Sequence, residues 1–281
     1  DLFRSNQCFY IFAYKRPISM KTNHIILALV AFLTFNSFSY AQGFSQEIGA
    51  SIGPVAFKSD YGLRGNSETN FGNVGFGVAL LHYINFSFRA DCDCYSADTY
   101  FNDHFKVRTE LDYHRTGLDH FGRFAEKNNE NGLKLRSMHG TAEVLEFGPS
   151  LEWYIRSVRD FDAGNFNFAP YVSLGIHYAA FYPETTTDLP GSIGATSNTY
   201  PTFLAPAGEE PYIDDSTGST YAIVGSVGTR YRLNDNSDLV LDARWQYYGS
   251  DWVDGLNHDN PQNEANDWIF WLNVGYIFYL N

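Results

Sequence analysis

The sequence predicts an all-β fold, an eight-stranded antiparallel outer-membrane β-barrel with long outer loops, and three observations carry that expectation. The last fifteen residues, DWIFWLNVGYIFYLN, place Trp268, Phe270, Leu272, Val274, Tyr276, Phe278 and Leu280 on one face of an extended strand. Asn273, Gly275 and Tyr279 fall on the other face, and a tilted strand of about 9 to 11 residues is long enough to cross a bilayer. Seven earlier segments repeat the same period of two, where a buried helix would need a period of about 3.6. Aromatic residues make up 17% of the chain and glycine is common, with 24 residues, yet the mean hydropathy is only -0.29. Alternation of lipid-facing and lumen-facing residues produces that average.

The region before the first strand reads as an export leader. Residues 1–19 precede Met20-Lys21 and are taken as an upstream extension outside the mature protein. From Met20 a charged start at Lys21, an apolar core over 25–35 and Ser39-Tyr40-Ala41 before Gln42 match a signal peptide over 20–41 with a small-x-small cleavage site. The core is shorter than the roughly 20 residues of a membrane-spanning helix, and no Cys follows the site to carry a lipid anchor. Residues 42–281 are then one barrel domain. Net charge is -13 over the chain, and loss of 1–41 removes more basic than acidic residues. So acidic a protein is a poor partner for nucleic acid.

In chain order, the first strand (44–57) sets Phe44, Ile48, Ala50 and Ile52 against Glu47, Gly49, Ser51 and Gly53. The second (72–88) sets Val74, Phe76, Val78, Leu80, Ile84, Phe86 and Phe88 against Gly75, Gly77 and Ala79. In the third (104–115), Phe105, Val107, Leu111 and Tyr113 interleave with Lys106, Arg108, Glu110 and Asp112. The fourth (145–155) opposes Leu145, Phe147, Leu151, Trp153 and Ile155 to Glu146, Gly148, Ser150, Glu152 and Tyr154, and the fifth (168–181) opposes Phe168, Val172, Leu174, Ile176 and Tyr178 to Tyr171, Ser173, Gly175 and His177. The sixth (221–233) carries Ser226, Gly228, Arg230 and Arg232 on its polar face, and the seventh (239–247) carries Asp242, Arg244 and Gln246. Connections over 58–70, 116–140, 182–218 and 250–266 would lie outside, all of them long. Two of the three inner turns are shorter, and the stretch 89–103 is the exception.

Volume decides which face points inward. The interior of a closed eight-stranded barrel such as a TIM barrel holds about twelve layered side chains, far fewer than the apolar-face residues here, so the apolar face meets lipid. A two-sheet sandwich is the alternative. The lumen then receives Lys106, Arg108, Glu110, Asp112, Glu146, Glu152, Arg230, Arg232, Asp242 and Arg244 as a charge network, with Glu47 beside them. Near-balance of charge favours a filled, ion-paired interior, because unpaired charges there would be costly to desolvate. No wide pore is expected.

Candidates for chemistry are few. Cys92 and Cys94 in ADCDCYSAD read as a metal or redox pair, as a disulfide of some kind, or as free thiols. Two ligands alone make a weak metal motif, and a bridge across one residue is strained. His114 and His177 are the histidines an outer-membrane lipid-modifying enzyme would use, but rim solvation is the expectation for His114, and no G-x-S-x-G motif is present. Asp214, Asp215, Asp251 and Asp254 lack EF-hand spacing and read as solvated loop charge.

The segments EIGASIGPVAFKSDYG, FAPYVSLGIHYAAF, DWVDGLN and NDWIFWLNVGYIFYLN resemble corresponding segments of small outer-membrane β-barrel proteins of Bacteroidota, similar to the PorG-type barrels associated with type IX secretion. The likeness covers most of 42–281, departing at the Cys92/Cys94 segment and the long loop from Tyr182. It implies an envelope or secretion-system protein partner. The expected protein is a non-enzymatic component of the cell outer membrane, held in outer-membrane lipid and using no cofactor. A small porin-like transport or ligand-binding barrel is the alternative, followed by a lipid-modifying enzyme.

Overall fold

The computed structural model describes residues 45–63, 66–70, 72–86, 100–209, 212–257 and 265–280. The expected leader, the upstream extension and Cys92 and Cys94 lie outside the described residues. Eight strands run in chain order: β1 (Ser45–Lys58), β2 (Val74–Asn85), β3 (Phe105–Asp119), β4 (Met138–Tyr154), β5 (Phe168–Thr187), β6 (Gly218–Asn234), β7 (Ser237–Tyr248) and β8 (Trp268–Tyr279). Each pairs antiparallel with its neighbour, and β8 returns to β1 to close the barrel. Closure removes the sheet edge, which in hydrocarbon would leave backbone donors and acceptors without partners. Among the described residues four short α-helices sit in the connections, α1 (Ser67–Asn70), α2 (Tyr100–His104), α3 (Glu130–Arg136) and α4 (Val158–Asp162), with a 3-10 turn at Pro201–Phe203.

The period of two becomes an outside and an inside. Ile52, Phe76, Val78, Val172, Leu174, Ile176, Ile223, Val227, Leu241 and Val274 stand exposed around the wall, a band that only lipid can cover at no cost. Aromatic residues bound it at both ends. Phe168 and Tyr231 meet near the inner turns with ring centroids 4.9 Å apart, and Trp245 and Phe270 meet at the opposite end, also 4.9 Å apart. The small face of β2 has a steric purpose: a Cβ on Gly77 would lie 2.5 Å from the Trp271 indole, so the glycine makes room for the largest side chain of the interior.

Several strands extend beyond their expected limits. β3 continues to Asp119, β4 begins at Met138 and β5 runs to Thr187, so residues 116–119, 138–140 and 182–187 belong to the wall rather than to loops. Above the lipid the outward positions become Asp119, His139, Thr141, Glu143, Glu184 and Thr186. Backbone pairing persists there while apolar alternation stops, because water replaces hydrocarbon on the outer face. Inward positions stay buried, with Thr116, Leu118, Met138 and Ala142 all shielded.

Candidate functional site: the filled lumen and the outer cap

The interior is a stack of ion pairs laid down by the inward positions of all but the outermost strand turns. Near the termini, Glu47 from β1 accepts from Lys106 of β3 (2.6 Å) and from Arg230 of β6 (2.5 Å). Arg230 also lies 3.6 Å from Asp238 and 3.8 Å from Glu152, and its guanidinium sits 4.1 Å from the Tyr83 ring centroid, a cation–π contact strengthened by the absence of water. At mid-height Arg108 pairs with Glu110 and reaches Glu152 at 2.8 Å. Arg244 bridges Glu110 (2.5 Å), Asp112 (3.0 Å) and Asp242 (3.4 Å). Tyr171 and Tyr154 donate to Asp242 and Glu152 at 3.0 and 2.5 Å.

Higher in the lumen the Lys and Arg side chains give way to Tyr, Gln and His. Glu146 accepts from Tyr248 (2.7 Å) and Gln246 (2.8 Å), and His177 Nδ1 lies 3.3 Å away. His114 Nε2 is 2.8 Å from the Tyr248 hydroxyl, with its ring between Phe57 and Trp271 at centroid distances of 6.4 and 6.2 Å. His114 is therefore fully buried, which corrects the expectation of a solvated rim histidine: β3 runs on past it, so position 114 falls inside the wall.

Nine of the expected network residues, Lys106, Arg108, Glu110, Asp112, Glu146, Glu152, Arg230, Asp242 and Arg244, are brought together in this stack with Glu47. Arg232 is not among them. Its guanidinium binds the carbonyl oxygens of Phe161 and Asp162 and the Asp235 carboxylate, tying α4 to the β6–β7 turn at the inner rim. Strand parity placed it correctly, but it lies one pair too near the strand end to enter the lumen. Asp238 enters instead, accepting from Tyr279 at 2.6 Å. The described lumen thus buries four basic side chains (Lys106, Arg108, Arg230, Arg244) with seven acidic ones (Glu47, Glu110, Asp112, Glu146, Glu152, Asp238, Asp242). Tyrosines, histidines, Gln246 and Asn85 supply further hydrogen-bond partners. Sorting by charge missed Tyr83, Tyr154, Tyr171 and Tyr248, although their parity put them on the inward face.

Glu110, Asp112 and His177 bring potential metal-ligand atoms within 4.8 Å of one another. The same carboxylates are already paired with Arg108 and Arg244.

Above the lumen the described parts of the four long connections and the outer ends of β3 and β4 form a cap whose apolar residues continue the buried cluster of the wall. Tyr61, Leu118, Ala125, Leu135, Met138, Phe203, Val253 and Leu256 are all buried there. Residues 188–217 are fastened by an Ile213–Leu256 bridge, by Asp214 N donating to Gly255 O (3.0 Å) and by Thr185 N donating to Asp215 (2.8 Å). Asp254 is buried, accepting from the backbone of Asp60 and Leu256 at 2.8 Å each. That corrects its reading as solvated charge; Asp214 and Asp215 do remain exposed. Asp215 takes up a proton more readily than a free aspartate, because partial burial outweighs the bonds from Thr185 and is reinforced by Glu184 and Asp214.

No family model matches the sequence, and no curated protein resembles it detectably. Solved structures of similar architecture include Ail, the attachment invasion locus protein of Yersinia pestis, in complex with the heparin analogue sucrose octasulfate; it is 10% identical with a TM-score of 0.39 over 85% of this chain and 100% of that one. A major outer membrane protein from Thermus thermophilus is 12% identical with a TM-score of 0.41, covering 84% of this chain and 99% of that chain. The outer membrane enzyme PagL is 11% identical with a TM-score of 0.33, covering 83% and 98%. These similarities are of architecture only. On its own closed wall, lipid-facing band and paired polar interior, the chain is an eight-stranded outer-membrane β-barrel resident in lipid.

Proposed function

We propose that this barrel is a non-conducting, non-enzymatic anchor whose folded outer cap binds a protein partner of the cell envelope. The observation that carries the reading is the pairing of a plugged lumen with structured loops. A transport pore needs an open polar path, whereas here Arg108, Arg230, Arg244, Trp271 and four tyrosines fill the cross-section. Loops with no function would stay short or unfolded, whereas the described parts of these bury Tyr61, Leu135, Phe203, Val253 and Leu256 in a cluster continuous with the barrel interior. The resemblance to PorG-type barrels of Bacteroidota supports a secretion-associated partner. Ser150, His177 and Glu146 stand in the order nucleophile, base and acid, at 3.4 and 3.3 Å. Ser150 is only 2% exposed and faces the lumen, so packing accounts for the alignment.

Affinity purification of the tagged protein in mild detergent tests the proposal. Recurrent recovery of one envelope or secretion-system protein is the expected result, and repeated recovery of the barrel alone would count against it. Planar-bilayer recordings should show no large stable conductance. A fluorophosphonate probe that labels Ser150 in the folded protein would overturn the non-enzymatic assignment.

A further inference from the structure

The cap contains a formed cleft of about 410 Å³ within the 188–217 connection, inside the range of pockets that hold small ligands or single side chains. Ile193, Phe203, Leu204, Pro206 and Ile213 supply the apolar part of the lining, and Tyr212 and the carboxylates of Glu209 and Asp215 supply the polar part. None of the lining residues among the described residues carries a positive charge. The cleft is built rather than incidental. Phe203 is buried and packs against the His120 ring at 5.4 Å, Ile213 is held by the bridge to Leu256, and Asp215 is oriented by the backbone of Thr185. The Tyr212 hydroxyl lies 3.5 Å from Glu209 and so steadies the second carboxylate.

Apolar walls with acidic groups of one sign select a particular chemistry. A purely apolar guest would leave both carboxylates partly desolvated without compensation, and an anionic guest would be repelled. A guanidinium or ammonium on an aliphatic or aromatic stem fits both features, with the stem against Phe203 and Leu204 and the cation between Glu209 and Asp215. We propose that this cleft receives an arginine or lysine side chain flanked by an apolar residue, presented by a peptide segment of the barrel's partner. The inference rests on the binding role assigned to the cap.

The test uses the full barrel in detergent and the blocked peptide acetyl-Phe-Arg-amide, with acetyl-Phe-Glu-amide as its charge-reversed control, followed by saturation-transfer NMR and calorimetry. Saturable binding of the arginine peptide is expected, at least tenfold weaker in the Glu209→Gln, Asp215→Asn double variant and abolished when Ile193→Trp fills the cleft. Heat-dependent gel mobility confirms that each variant remains a folded barrel. Equal binding of the glutamate peptide, unchanged affinity in the double variant, or no saturable binding would overturn the assignment. The two proposals fail separately. A partner still recovered by purification with the double variant sinks only the cleft, whereas arginine-peptide binding without any recoverable partner sinks only the envelope role.

Discussion

Along β3 the inward positions read Lys106, Arg108, Glu110, Asp112, His114, Thr116 and Leu118, and along β4 in the reverse direction they read Glu152, Ser150, Gly148, Glu146, Val144, Ala142, Gly140 and Met138. Both strands pass from a charged lumen to an apolar cap without a break in the wall. The two regions are stabilised in different ways. In the lumen, the worth of each charge depends on partners from several strands, since an isolated ion there would cost several kcal/mol and a complete set roughly breaks even. In the cap, stability comes from area removed from water, which accumulates residue by residue. The lumen should therefore fail as a unit and the cap should open by itself.

The largest expected effect comes from breaking the lumen. Arg230→Met removes the cation shared by Glu47, Asp238 and Glu152 and leaves their carboxylates buried, at a cost of about 3–5 kcal/mol. Urea titration of folded, heat-modifiable protein should show the midpoint falling for the whole barrel in one transition. Arg230→Lys, which keeps the charge but loses the planar fork, should fall between the two. If Arg230→Met were as stable as the parent, the lumen would not be a mutually dependent set.

Phe203→Ala sharpens the other half of the comparison. It empties a buried site in the cap at about 3 kcal/mol of local stability, the low end for such a truncation because the connection can relax. Hydrogen exchange over 188–217 should accelerate by roughly a hundredfold, the equivalent of that energy. The unfolding free energy of the barrel wall from urea titration should stay within about 0.5 kcal/mol of the parent. A loss shared by wall and cap would show that they are one cooperative unit.

That separation also explains what the sequence reveals. Inside the lipid band, water and hydrocarbon impose opposite demands on alternate residues, so eight strands, their faces and most inward charges can be read from parity alone. The cap is written differently. Tyr61, Leu135, Phe203 and Leu256 come from separate connections with no common period, and each looks like an isolated apolar residue in a polar loop. The burial of His114 is hidden for the same reason, since the strand around it loses its apolar partner residues beyond Tyr113 while its backbone pairing continues to Asp119. Tyr83 and Tyr248 were legible by position but not by type, because a tyrosine suits lipid interface and lumen equally well.

The smallest expected effect isolates the acidic edge of the cap. Burial raises the proton affinity of Asp215 in the folded protein, so folding is favoured by protonation there. This contribution is fully present below the unfolded value of 3.8 and is lost as pH rises through the higher folded value. Asp215→Asn keeps an acceptor for Thr185 N and removes the ionisation. The variant should match the parent below about pH 4, and above the folded pKa its cap should be more stable by about a few tenths of a kcal/mol, small because solvent screens an exposed carboxylate. Exchange rates over 188–217, corrected for their intrinsic pH dependence, should converge at low pH and separate toward neutrality. Arginine-peptide affinity should move the opposite way, falling in the parent as Asp215 protonates and staying lower than the parent's near neutrality in the variant, where Glu209 is the remaining carboxylate. A cap whose stability and ligand affinity rose together with pH would mean that Asp215 is paired to a cation rather than waiting for one.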